Sequence, residues 1–301
     1  MSNKLKIFLI VFLISLPAWW GVNAAQKQLE DFFFSQLYIE TPRVLTAQIA
    51  PLPKVEEVSS EIQAKAAFSL KVTEEGGWNV LYQKNIKQKL PIASLTKLMT
   101  ALVILENYDL SLPIKISKKA VEQEEDSGQL KIGETLTVEN LLYIMLIESS
   151  NDAAYALAEA IGVDNFVDIM NWETKSLGLK NTHFTNPTGL DDPKNYSTAQ
   201  DLAILTKNLL KKPLLWEILG TPEYDLYLPD GTLHHKLKNT NELLGKIPGI
   251  IGGKTGWSPQ AQGCFLLVLK KGKGEYFINI ILGAEDRFAE MQKLIQLTVN
   301  K

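Results

Sequence analysis

The spacing of apolar and polar positions changes several times along the chain, and each change marks an element. Residues 7–18 are apolar behind Lys4 and Lys6, and Trp19, Trp20 and Val22-Asn23-Ala24 follow. A basic start, a short apolar core and Val-x-Ala form a secretory signal. The same residues form a retained anchor if the tryptophans lie at a membrane interface. The run is short for a full span, but the tryptophans lengthen it and residues 29–37 add an amphipathic patch, so the anchor is favoured. Residues 40–64 carry Pro42, Pro51 and Pro53 and keep no period, which reads as a spacer. Strand-like runs at 67–72 and 78–82 flank the turn residues Glu74-Glu75-Gly76-Gly77, the pattern of a hairpin.

Behind Pro91 and Ser94, the apolar run 98–105 predicts the start of a buried helix. Helical spacing then dominates. It predicts helices over 138–147 with Thr137 as N-cap, over 153–161, over 166–177, and over 198–210 ended by Pro213. Gly162 and Gly178 fit helix stops. Strands return near Tyr224, with a tight turn at 229–232, runs at 250–255, 264–269 and 276–282, and a lysine-glycine hairpin tip at 270–274. Residues 284–299 close as a helix. Strands at both ends with helices between predict an α+β domain: a mainly antiparallel sheet flanked by helices, with a helical insert. The expected organisation is a signal or anchor over 1–25, a juxtamembrane segment and spacer over 26–64, and one domain over 65–301 whose helical part spans about 110–215.

With 46% hydrophobic residues in 301, the chain has ample material for a core. Its formal charge of −3 is spread along the chain, which leaves no nucleic-acid footprint. The single cysteine, Cys264, sits in an apolar strand-like run and reads as a buried thiol. His183, His234 and His235 lack zinc-site spacing, and nothing else implies a metal or cofactor. The last two fall on a strand-like hairpin. Arginine occurs only at Arg43 and Arg287.

Three short motifs carry chemistry. Ser94-Leu95-Thr96-Lys97 places a serine and a lysine on one helix face. A neutral lysine there can take the serine proton and make a nucleophile. Ser149-Ser150-Asn151 lies between two predicted helices, and Lys254-Thr255-Gly256 ends a strand-like run behind Gly252-Gly253. Each alone suits a cap, a loop or a turn. In this order they match the set found in penicillin-binding proteins and class A β-lactamases.

The chain resembles the low-molecular-weight penicillin-binding proteins, the serine D-alanyl-D-alanine carboxypeptidases, from about Ala66 to Val299. Beyond the three motifs, Asn186-Pro187-Thr188-Gly189-Leu190-Asp191, Tyr196-Ser197-Thr198-Ala199 and Lys238-Asn239-Thr240-Asn241 are similar to family blocks. Ser150 departs from the usual glycine of S-G-N. The resemblance implies a penicillin-binding/β-lactamase-like transpeptidase fold and a peptidoglycan stem peptide ending in D-Ala-D-Ala as substrate. It implies β-lactam antibiotics as inhibitors, and a place in the cell envelope on the outer side of the cytoplasmic membrane, anchored or secreted. Ser94 would form the acyl-enzyme. Lys97 would be its base, its pKa lowered by burial and by Lys254. Ser149 would relay a proton to the departing nitrogen. Asn151 would hold the substrate backbone, and Lys254, Thr255 and Gly256 would face the substrate from a strand edge. The Ser94 and Trp257 N–H groups would form the oxyanion hole, where one such donor is worth about 3–4 kcal/mol. Arg287 would grip the terminal carboxylate, or is a surface arginine at a helix start. Three neighbouring activities stay open: D,D-endopeptidase, β-lactamase and non-catalytic penicillin-binding sensor. No glutamate-bearing loop supports the β-lactamase, and the intact motifs oppose the sensor.

Overall fold

The computed structural model describes residues 62–299, apart from 74–76, 125–127, 229 and 273. The N-terminal signal or anchor and nearly all of the spacer lie outside the described residues. So do most of the predicted turn after the first strand and Pro229 of the 229–232 turn. Among the described residues no helix is long and apolar enough to cross a membrane.

The core element is a five-stranded antiparallel sheet. Its strands are β1 (Ala64–Val72), β2 (Trp78–Lys84), β7 (Ile250–Gly256), β8 (Gly263–Lys271) and β9 (Glu275–Ala284), in the order β2-β1-β9-β8-β7. Strands from the two ends of the domain meet at its centre, with Ala64 opposite Ala284 and Val72 opposite Tyr276. Successive side chains alternate between faces. Phe265, Leu267 and Leu269 of β8, with Phe277 and Ile281 of β9, pack under the C-terminal helix against Met291, Leu294 and Ile295. Leu266, Val268, Ile278, Ile280 and Leu282 are buried on the opposite face, beneath the helical half. Both faces are covered, so β8 and β9 read as continuous apolar runs. One polar knot interrupts this core. Ser69 Oγ donates to Asn279 Oδ1 at 2.8 Å, and it lies 3.1 Å from Thr298 Oγ1.

The helical half begins with a 3-10 turn, Ala93–Thr96, running into α1 (Lys97–Asn107). A one-turn helix α2 (Lys118–Val121) follows. Then come α3 (Val138–Ile147), α4 (Asn151–Glu159), α5 (Val163–Ser176), α6 (Ala199–Leu209) and α7 (Pro213–Gly220). The Thr137 cap expected from the sequence is present as a reciprocal capping box with Asn140. Pro213 does not end a helix. It opens α7 at its first position, where a missing N–H costs nothing and the fixed φ suits the helix. Two ribbons frame this half. β3 (Pro113–Lys115) pairs with β4 (Thr135–Thr137), and β5 (Glu223–Tyr227) pairs with β6 (Leu233–Lys238). The first ribbon, three residues a side, has too few positions to show a period. The last helix, α8, spans Arg287–Thr298 and starts three residues later than its apolar pattern suggests. β9 keeps Ala284 in the sheet, and the Asp286 carboxylate caps the helix by accepting from the Phe288 and Ala289 N–H groups.

Candidate active site

The three motifs, which begin at Ser94, Ser149 and Lys254, converge where the 3-10 turn, the α3–α4 junction and the end of β7 meet. Ser94 lies on the 3-10 turn, half-buried, and makes no capping bond. The residue before it, Ala93, has φ +46°, a left-handed conformation uncommon for a residue with a Cβ. Two glycines make room for this turn. A Cβ on Gly189 would fall 2.1 Å from the Ala93 carbonyl oxygen, and one on Gly256 would fall 3.0 Å from the Ser94 nitrogen. Gly256 thus brings the end of β7, and with it Trp257, against the Ser94 backbone.

Lys97 opens α1 and is fully buried. Its Nζ lies 2.8 Å from Ser94 Oγ, and it donates to Asn151 Oδ1 and to the Thr188 carbonyl, each at 2.6 Å. Asn151, at the start of α4, is itself fixed, because its Nδ2 donates to the Glu124 carbonyl at 2.8 Å. As placed, both ends of its amide are occupied by protein groups. Ser149 forms the α3–α4 junction with φ +68°. A strained residue of this type persists only where its surroundings over-determine it. Ser150 caps α4, accepting from the Ala153 N–H at 3.1 Å. The departure from glycine therefore has a local role.

Lys254 is fully buried on β7 and donates to Ser149 Oγ at 2.7 Å and to the Thr255 carbonyl at 2.9 Å. Burial, and then the charges of Lys97 and Arg287, hold its pKa well below the usual lysine value. The Thr255 hydroxyl pairs with the Thr240 hydroxyl at 2.7 Å. The Thr240 N–H in turn donates to the Ile147 carbonyl, at the end of α3. Arg287 stands at the first position of α8. Its guanidinium is half-buried, and Nη1 donates to the Gly256 carbonyl at 3.4 Å. Burial pulls its pKa below the arginine norm.

The open cleft beside Ser94 measures about 210 Å³ and is lined by Asn151, Gly189, Asp191, Trp257 and Ser258 among others. Trp257 stands on its rim, 55% exposed. A roomier groove of about 500 Å³, between Pro213, Trp216, Ile251 and Tyr276, holds no nucleophile, so chemistry rather than volume selects the site. His234 and His235 lie on β6, paired with Glu134 and Glu148, and neither lines the cleft. Cys264 is fully buried, its thiol pushed up to about 11 chiefly by burial. Among the described residues no group of acidic, histidine and cysteine side chains could hold a metal. Reading by residue type missed the Thr188 carbonyl and the hydroxyl of Thr240. The first is a main-chain atom, and the second stood out only as part of a similar block.

Comparison with known proteins bears on the family and the fold. The profile of the D-alanyl-D-alanine carboxypeptidase family, peptidase S11, matches residues 53–286. The D-alanyl-D-alanine carboxypeptidase DacF of Bacillus subtilis is 37% identical over 255 residues, covering 81% of this chain and 64% of its own length. The chain thus spans just under two thirds of that relative. The D-alanyl-D-alanine endopeptidase of Pseudomonas aeruginosa is 34% identical over 242 residues, covering 77% of each protein. Among solved structures, a Streptomyces DD-transpeptidase superposes with a TM-score of 0.73 at 29% identity, over 82% of this chain and all of that one. The fold is therefore that of the penicillin-binding DD-peptidases, and the chain belongs to the S11 family of serine D-alanyl-D-alanine carboxypeptidases.

Proposed function

We propose that this protein removes the terminal D-alanine from peptidoglycan stem peptides through an acyl-enzyme on Ser94. The observation that carries this reading is the environment of the Lys97 amine, which is buried and has Ser94 Oγ at 2.8 Å. Lys97 takes the hydroxyl proton as Ser94 Oγ attacks the carbonyl of the last peptide bond. The oxyanion is held by the Ser94 and Trp257 N–H groups. Ser149, hydrogen-bonded to Lys254, relays the proton taken from Ser94 to the leaving nitrogen, and D-alanine departs. Water then cleaves the Ser94 ester and releases the shortened stem. The Lys254 ammonium, the Thr255 hydroxyl and the Arg287 guanidinium supply the charge and the donors that a terminal carboxylate needs. Asn151 and Trp257 flank the acyl side.

The reaction is placed in the cell envelope, where the substrate is, and β-lactams compete by acylating Ser94. Attachment to the cytoplasmic membrane rests on the pattern of residues 1–25 and on the amphipathic patch at 29–37. A second reading, cleavage of D,D cross-links, is favoured by the relative named an endopeptidase. It needs the same bond-breaking groups and a cleft that admits a larger leaving group. The test is D-alanine release from a peptide ending in D-Ala-D-Ala by the full chain. Wild type should release it and Ser94→Ala should not. Release that survives Ser94→Ala would remove the nucleophile assignment. Cleavage of a cross-linked dimer with no release from the free peptide would favour the second reading.

A further inference from the structure

Asn186 does not line the cleft, yet its amide shapes the loop that reaches Lys97. Its Oδ1 accepts from the Gly189 N–H at 2.7 Å, the Thr188 hydroxyl at 3.0 Å and the Thr188 N–H at 3.2 Å. Its Nδ2 donates to the Leu190 carbonyl at 3.1 Å. The loop is pinned from both sides. Thr100 of α1 donates to the Pro187 carbonyl at 2.6 Å, and Gly189, at φ +92°, tucks against Ala93. Between these anchors the Thr188 carbonyl is turned inward onto Lys97 Nζ.

The consequence follows from counting donors and acceptors. A neutral primary amine has two N–H groups and one lone pair. The Thr188 carbonyl can only accept. Asn151 Oδ1 can only accept too, and its orientation is settled because Nδ2 faces the Glu124 carbonyl. With both N–H groups taken, the lone pair falls toward Ser94, the one contact of the three that can donate. Without the Thr188 carbonyl, the amine can turn about its last bond and aim the lone pair elsewhere.

We propose that Asn186 is a positioning residue for the general base: by fixing the Thr188 carbonyl it aims the Lys97 lone pair at Ser94. This rests on the reading of Lys97 as the base. The test uses the full chain as wild type, Asn186→Ala and Asn186→Asp. It measures the acylation rate with a fluorescent penicillin, kcat and KM for D-alanine release, and Tm. Asn186→Ala should lower acylation and kcat about 10- to 100-fold, the scale of a misplaced reacting group, and leave KM within about twofold. Asn186→Asp keeps the oxygen that accepts three bonds and loses the two Nδ2 donations, to the Leu190 carbonyl and to the Thr185 hydroxyl. It should recover acylation to within about fivefold of wild type, while Tm falls in both variants. Rates that follow Tm rather than the acceptor oxygen would overturn the proposal. So would an Asn186→Ala protein that acylates within threefold of wild type. A wild type that acylates no faster than Lys97→Ala would overturn the base reading and this inference with it, a result distinct from a silent Asn186 substitution.

Discussion

At the residue scale, the site depends on small groups in unusual conformations beside large buried ones. Ala93 and Ser149 hold positive φ on either side of the chemistry, and Gly189 and Gly256 leave the space that this requires. Gly189→Ala should therefore be inactive: its Cβ would overlap the Ala93 carbonyl, and φ +92° is strained for alanine. A stopped-flow acylation assay on the folded variant checks this. Thr240→Val removes the partner of the Thr255 hydroxyl. One such bond is worth about 1 kcal/mol, roughly fivefold, and the expected change is a rise in KM for D-alanyl peptides with kcat nearly unchanged. That Ser94, Lys97, Ser149 and Lys254 would come together was legible in the sequence, because they fall in short motifs of fixed spacing. The Thr188 carbonyl was not, because every residue has a carbonyl and only the fold decides which one turns inward. Arg287 stood out by its rarity in a lysine-rich chain, but its reach to Gly256 is a tertiary fact.

At the scale of elements, caps and strand register decide boundaries that hydrophobic spacing leaves open. The sheet strands and the helices from Val138 to Leu209 were legible, because each is long enough to show a period. The β3–β4 ribbon was not. Pro213 was misread because proline stops a helix when it lies inside one and starts a helix when it stands first, and spacing alone cannot tell these apart. Ser150 offers a measurable case. Loss of its cap in Ser150→Ala should cost about 1 kcal/mol, whereas Ser150→Gly should cost only a few tenths. Denaturant titration of the two variants separates these values. The same comparison explains how serine can stand where the family usually has glycine.

At the scale of the molecule, both faces of the sheet are covered, and the helical half contains a buried acid that makes stability depend on pH. Glu173 on α5 is 7% exposed, and its pKa is raised from 4.5 to about 7, first by burial and then by Glu106. Lys212, ion-paired to Glu106, offsets this in part. The folded state therefore holds the Glu173 proton more tightly than the unfolded state does. The contribution is fully present below about pH 4.5 and is lost as pH rises through about 7. After allowance for solvent screening it amounts to about 1–2 kcal/mol. Glu173→Gln should flatten this part of the curve, seen as a Tm difference from wild type that grows between pH 5 and 7.5.

The placement of β1 beside β9 also sets an order in time. The first strand of the domain finds its central neighbour only when the last strand exists. Until β9 is made, β1 has β2 alone, and β8 lacks the partner that joins it to the rest of the sheet. Ser94 and its turn are synthesised early, but Gly256, which closes on them, belongs to a strand held in the sheet through β8. Such long-range pairing is slow, on the order of milliseconds to seconds once the chain is complete. A growing chain thus carries Ser94 well before the Lys254-bearing strand that closes on it, and the three motifs can meet only once β9 has been made.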